Sequence, residues 1–144
     1  MVFDDEYYMR LALAEAEKAY ELGEIPVGCV VVAQDRIIAK THNLTEQLID
    51  VTAHAEVQAI SSSANHIGGK YLKNCTMYIT LEPCVMCAGA LYWSQISKVV
   101  IGALDEKRGY TSAGLKLHPK TEIVSGVLQE ECRMILQDFF KKRR

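Results

Sequence analysis

Two short motifs, each at the mouth of an apolar helix, set the strongest constraint on how this chain can fold. Cys84 and Cys87 stand three residues apart just after Pro83. At that spacing both thiols share one face of a helix's first turn and can bind one ion. Earlier, His54 and Glu56 stand two residues apart at the start of another apolar stretch. Residues i and i+2 of a regular helix point in widely different directions. Both can therefore reach one centre only if His54 sits at the helix entrance, before the backbone turns helical. Thr52, read as the N-cap, puts the entrance there. A fold that serves both motifs must bring two helix N-termini together, where unpaired amides and the macrodipole favour thiolates and other anions.

One histidine and two cysteines make a three-ligand zinc set with the fourth position left to water, whose pKa the metal lowers toward ~7. Glu56 is then a carboxylate left over for proton work, able to take that water's proton and deliver it to a leaving group. This is machinery for hydrolysing a C–N bond at an electrophilic carbon. Helix-end geometry places the backbone amides of Ala55 and Cys84 where they steady an oxygen at the metal. Two plainer readings compete. A Cys-x-x-Cys pair is a common core feature, and a closed structural zinc could recruit Cys29, Cys75, Cys132, His42 or His66 as its fourth ligand. The His-x-Glu pair and the proline directly before Cys84 favour the open, catalytic site.

At 144 residues the chain is expected to form one domain, residues 1–144, long enough to bury about 70% of its unfolded surface. A 49% hydrophobic, 24% charged composition argues against disorder. The net charge of −2 offers no global attraction to nucleic acid, so any such surface must be local. The acidic opening Asp4-Asp5-Glu6, the absence of an apolar run near ~20 residues, and an odd cysteine count lead us to expect no secretory signal, no membrane span and no complete disulfide framework. Thiolate ligands persist best in a reducing compartment, which points to the cytoplasm.

Along the chain, Met9, Ala12, Leu13, Ala16 and Tyr20 form one stripe of a helix closed by Gly23. Residues 27–33 read as a strand buried on both faces, Gln34-Asp35 as a hairpin turn, and residues 36–41 as the partner strand. A second helix spans about Thr52 to Ala64, and residues 76–81 form a third strand. Pro83 suits the first position of a third helix, which is apolar on nearly every side and so expected to be buried. Residues 98–102 and 121–125 read as further strands around a loop at 105–121. The last helix carries Leu128, Cys132, Ile135, Leu136 and Phe139 on one face. Alternating strands and helices predict an α/β fold, a three-layer α/β/α sandwich with a central mixed five-stranded sheet.

His54-Ala-Glu56 and Pro83-Cys84-Val-Met-Cys87 resemble the signature of the zinc-dependent cytidine deaminase superfamily. Glu24-Ile-Pro-Val-Gly28, His42-Asn43, the run from Thr80 to Ala90 and the segment Asp138 to Arg144 resemble, within it, the bacterial tRNA adenosine deaminases that convert the wobble adenosine to inosine. The likeness covers nearly the whole chain. It implies a cytidine deaminase-like fold, Zn2+ held by His54, Cys84 and Cys87, proton transfer by Glu56, a tRNA anticodon loop as substrate, and a homodimer. It further implies that Asn43 meets the purine edge, that Val27 and Leu81 wall the base pocket, and that Asp105 lies near the sugar. Phe140, Lys141, Lys142, Arg143 and Arg144 match the family's RNA-facing tail; on residue type alone they could equally be a solubilising end that complements the helix dipole.

Two departures matter. The segment Gly109 to Thr121 is shorter than in those tRNA deaminases, and Gly89-Ala-Leu-Tyr-Trp93 resembles the guanine deaminases of the same superfamily, which would put Trp93 at the substrate. A deaminase of a free base or nucleoside is therefore the second reading. A non-catalytic zinc module that contacts RNA through its basic tail is the third.

Overall fold

The computed structural model describes residues 3–143. Its elements are α1 (Asp5–Glu21), β1 (Gly28–Ala33), β2 (Arg36–His42), α2 (Ala55–Ile67), β3 (Cys75–Leu81), α3 (Val85–Ser94), β4 (Lys98–Ala103), β5 (Glu122–Ser125) and α4 (Gln129–Lys142). The strands form one mixed sheet in the order β2-β1-β3-β4-β5. β1 is antiparallel to both β2 and β3, whereas β3, β4 and β5 are mutually parallel. Every strand but β1 therefore runs the same way. The helices that follow β2 and β3 must begin beside the same edge of the sheet, where β1 also starts.

β1 joins β2 through Gln34 and Asp35, both at positive φ (51° and 60°), the backbone of the tight hairpin turn whose twist matches the strands it connects. Along β1 the side chains alternate between the two faces of the sheet. Cys29 and Val31 pack with Ala55, Ala59, Ala88 and Leu91 of α2 and α3. Val30 and Val32 pack with Tyr8, Met9 and Ala12 of α1 and Cys132 of α4. These two cores, one on each face, are the three layers that alternating strands and helices call for.

Several local expectations need correction. In α1 the buried face is Tyr8, Met9, Ala12, Glu15, Ala16 and Ala19, rotated from the expected stripe so that Leu13 and Tyr20 stay half-buried. Small alanines let α1 lie against the sheet, and the larger side chains are turned to its flanks. The N-cap of α2 is His54, not Thr52, whose hydroxyl bonds to Asp50 at 2.7 Å. Pro83 precedes the N-cap Cys84 rather than opening α3. That helix is also not enclosed, because Val85, Tyr92 and Trp93 lie on an uncovered face. Within 105–121, Tyr110 and Leu117 are core residues rather than parts of a solvated loop. Among the described residues no helix is long and apolar enough to cross a membrane.

Gly28 is where α1 and β1 touch. A Cβ there would meet the Ala12 carbonyl, the Ala16 amide and the Glu15 Cβ, of which the first two are backbone that cannot swing aside. Gly28→Ala is therefore expected to cost about 3 kcal/mol, the upper end of overpacking penalties. Urea denaturation checks this; an unmoved midpoint would mean that α1 sits farther from the sheet.

Candidate active site

His54 and Cys84 occupy equivalent places, the N-caps of α2 and α3. Both are in extended backbone (φ −72°, ψ 154° and φ −73°, ψ 177°), and neither side chain caps its helix. Because His54 precedes the first helical residue, its ring and the Glu56 carboxyl can converge despite their i, i+2 spacing. Gln58 secures this entrance by donating to the His42 carbonyl at 2.7 Å and the Ala53 carbonyl at 3.1 Å. The Thr41 hydroxyl donates to the Ala55 carbonyl at 2.7 Å, which ties β2 to the same turn.

The ligating atoms of His54, Cys84 and Cys87 all lie within 4.8 Å of one another. His54 Nδ1 is 3.7 Å from Cys84 Sγ and 3.5 Å from Cys87 Sγ. Zinc bonds of about 2.3 Å to sulfur and about 2.0–2.1 Å to nitrogen, opened to a tetrahedral angle, require N···S separations of about 3.6 Å. The donor set fits zinc. Among the described residues the cluster has three members, so the fourth ligands considered from sequence (Cys29, Cys75, Cys132, His42, His66) are not gathered there. Three of those, Cys29, Cys75 and Cys132, are buried thiols placed elsewhere in the core.

Protons within the cluster are held in common. The Cys84 thiol is pulled down to about 3, first by its hydrogen bond with Cys87 and then by His54. Cys87 is pushed up by the same partnership with Cys84 and by burial. The His54 ring is raised, foremost by its hydrogen bond to Cys84. A divalent cation takes the place of such shared protons. Glu56, 4% exposed, is raised to about 7 chiefly by desolvation, with the His54 charge opposing. A carboxyl tuned there can both take and return a proton near neutral pH.

The other expected residues divide into two groups. Val27, Asn43, Leu81 and Asp105 all lie at or just beyond strand ends at the edge where α2 and α3 begin. Asn43 is buried, its Nδ2 donates to the Ile25 carbonyl at 3.3 Å, and its Oδ1 has no partner among the described residues. A buried acceptor left open is an invitation to a donor on a bound molecule or water. Ala55, fully buried, contributes one of the first amides of α2, which lack helical acceptors. Trp93 belongs to the second group: it is 76% exposed at the far end of α3 from Cys84, so this chain does not bring it to the cluster.

The tail is partly engaged. Arg143 donates to the Gly23 carbonyl and lies 4.6 Å over the Phe139 ring, and Lys142 pairs with Asp138 at 3.4 Å. Phe140 and Lys141 instead line a groove of about 490 Å³ with Leu81, Leu104 and Arg133. Arg144 lies outside the described residues. Two buried carboxylates beside the site escaped the sequence reading, Glu24 and Glu82, fully buried and 3% exposed. Each binds loop amides near the site. The available signal was a charged residue closing an apolar run, as Glu82 does directly after β3.

Residues 3–103 match the cytidine and deoxycytidylate deaminase zinc-binding region. The tRNA-specific adenosine deaminase of Aquifex aeolicus is 42% identical, with 96% of this chain and 95% of that one covered. The tRNA-specific adenosine deaminase of Bacillus subtilis is 44% identical, with 97% and 91% covered. A solved structure from work on A-to-I editing by tRNA:A34 deaminases superposes with a TM-score of 0.82 at 37% identity, covering 90% of this chain and 99% of the other. The guanine deaminase of Bacillus subtilis gives 0.69 at 34% identity, covering 78% and 71%.

Burial of Glu56 makes a signed prediction. Its folded pKa, about 7, lies above the ordinary glutamate value of 4.5, so the folded chain binds more protons between those values and loses stability as pH rises through them. Glu56→Gln removes that penalty. With a chelator present, the substituted chain should gain roughly 2–3 kcal/mol over the parent at pH 8 and almost nothing at pH 4, measured by urea unfolding. An equal gain at both pH values would contradict the burial assigned to this carboxyl.

Proposed function

The chain belongs to the cytidine and deoxycytidylate deaminase family, and we propose that within it the chain deaminates adenosine to inosine at the wobble position of tRNA by zinc-dependent hydrolysis. The observation that carries the reading is the donor geometry: separations of 3.5 and 3.7 Å that suit an open three-ligand zinc site, with one buried carboxyl, Glu56, beside it. Nearly full-length likeness to tRNA-specific adenosine deaminases supports RNA over a free base as substrate.

His54, Cys84 and Cys87 hold the zinc in this proposal. When bound, the metal supplies the Lewis acidity that makes water nucleophilic near neutral pH. Glu56 removes a proton from the attacking water as its oxygen joins C6 of adenine, and passes that proton to the neighbouring ring nitrogen. It next takes the proton of the new C6 hydroxyl and delivers it to the amine, as the carbon–oxygen double bond forms. The C–N bond breaks, ammonia leaves, and adenosine plus water has become inosine plus ammonia. The open Oδ1 of Asn43 meets the base, Val27 and Leu81 wall it, and Asp105 stands toward the sugar. An anticodon loop suits such a pocket because its bases can be splayed out of the stack.

The assembly proposed is a homodimer in the cytoplasm. Val85, Tyr92 and Trp93 lie on one side of α3, 49%, 39% and 76% exposed, and among the described residues nothing stands over Gly89 between them. An apolar helical face left open in this way supports pairing with a second copy. Two thiolate ligands support a reducing compartment.

Glu56→Ala should retain one zinc per chain while losing deamination by 10³-fold or more, the upper part of acid–base contributions and beyond. Zinc content and product formation on an adenosine-containing anticodon stem-loop measure both. Undiminished turnover by that variant overturns the mechanism. Turnover of guanine or a free nucleoside with none on the stem-loop overturns the substrate.

A further inference from the structure

Glu82 takes no part in the chemistry described above, yet its buried carboxylate accepts three hydrogen bonds beside it. It directly follows β3, two residues before the Cys84 ligand, and is 3% exposed. Its Oε1 accepts the Asp105 amide at 3.0 Å. Its Oε2 accepts the Thr111 amide at 3.0 Å and the Thr111 hydroxyl at 2.6 Å. These three donors bracket residues 105–111, the first part of the loop that leaves β4. The same loop is fastened to the metal-side turn by the Tyr110 amide, which donates to the Pro83 carbonyl at 3.0 Å.

A second feature points the same way. A Cβ on Gly109 would run into the Glu82 carboxylate and the Asp105 carbonyl, so the loop backbone crosses directly over the carboxylate, where no side chain fits. Between these anchors Asp105 Oδ1 accepts the amides of Lys107 and Arg108 at 3.1 and 3.0 Å, which shapes the turn. Lys107 and Arg108 themselves are exposed, and Leu104 at the start of the loop shares a groove with Leu81, Phe140 and Lys141. Two cations are thus held on a short, tightly tied loop next to the Pro83-Cys84 turn.

We propose that Glu82 is a positioning residue for substrate binding: its buried carboxylate clamps the 104–111 loop so that Lys107 and Arg108 face the phosphates of RNA entering the zinc site. The inference rests on the RNA reading of the site. The clamp acts on binding and not on the reacting atoms, so its loss separates KM from kcat. It needs three acceptor positions, and an amide cannot provide them. Whichever way a glutamine at 82 is turned, its NH2 faces an N–H or O–H donor, and at least one buried bond is lost.

The test uses zinc-loaded, full-length Glu82→Gln beside the milder Thr111→Val, which removes only the hydroxyl bond. Trypsin reads the loop directly, because Lys107 and Arg108 are its cleavage sites. Glu82→Gln should be cut there roughly tenfold faster than the parent, with KM for the stem-loop roughly tenfold higher, kcat within about threefold, and zinc content unchanged. Thr111→Val should move cleavage and KM in the same direction by a smaller factor, and it decides the matter if Glu82→Gln does not fold. Cleavage and KM equal to the parent overturn the proposal, as does a fall in kcat or in zinc content with KM unchanged. The cleavage comparison needs no RNA. A failed clamp therefore shows as unchanged cleavage, whereas a failed substrate assignment shows as a parent enzyme inactive on the stem-loop.

Discussion

Everything around the site follows from the need to hold one nitrogen about 3.6 Å from each of two sulfurs with a carboxyl buried beside them. Isolated polar groups cannot be buried cheaply. They are tolerated here because each ligand sits at a helix entrance, where backbone amides lack helical partners and the dipole favours negative charge. The sheet makes two such entrances coincide. With β1 alone reversed, the ends of β2, β3 and β4 lie along one edge, and α2 and α3 both begin there. His54 and Cys84 each give up side-chain capping of their own helix. A capping residue at either position would contribute ~1 kcal/mol of stability but no donor to the cluster.

The second layer is made of carboxylates that never face the reaction. Glu24 accepts the Glu46 amide at 3.0 Å and the Gln47 amide at 2.7 Å, which fixes the loop that leaves Asn43. Glu15 meets the ring of His42 at 3.0 Å, with Lys18 on its other oxygen at 2.7 Å. Glu82 does the same for the loop after β4. Charge inside a protein is expensive unless several donors surround it, and each of these groups is so surrounded. The loops at the rim of the site are consequently held by buried acceptors as well as by the few apolar side chains, such as Tyr110 and Leu117, that they lend to the core.

Much of this was legible in the residues. The His54 entrance, the shared face of Cys84 and Cys87, the doubly buried β1 and the mixed sheet follow from spacing and period, which depend on local geometry. What could not be read locally was partnership. Leu13 and Tyr20 looked like core until the alanines of α1 met the sheet at Gly28. α3 looked enclosed because hydropathy reports preference for burial and not what supplies it, and Trp93 stands 76% exposed. Tyr110 and Leu117 looked like loop residues because the bonds that fasten their segment reach back to Glu82 and Pro83. The Phe140 to Arg143 tail looked free, yet Arg143 is folded onto Gly23.

X-ray absorption at the zinc edge of the purified chain tests the central claim most directly. An open site built from His54, Cys84 and Cys87 predicts two sulfur neighbours at about 2.3 Å and two nitrogen or oxygen neighbours at about 2.0–2.1 Å. A shell of three or four sulfurs would contradict it, because a further cysteine would then close the metal against substrate.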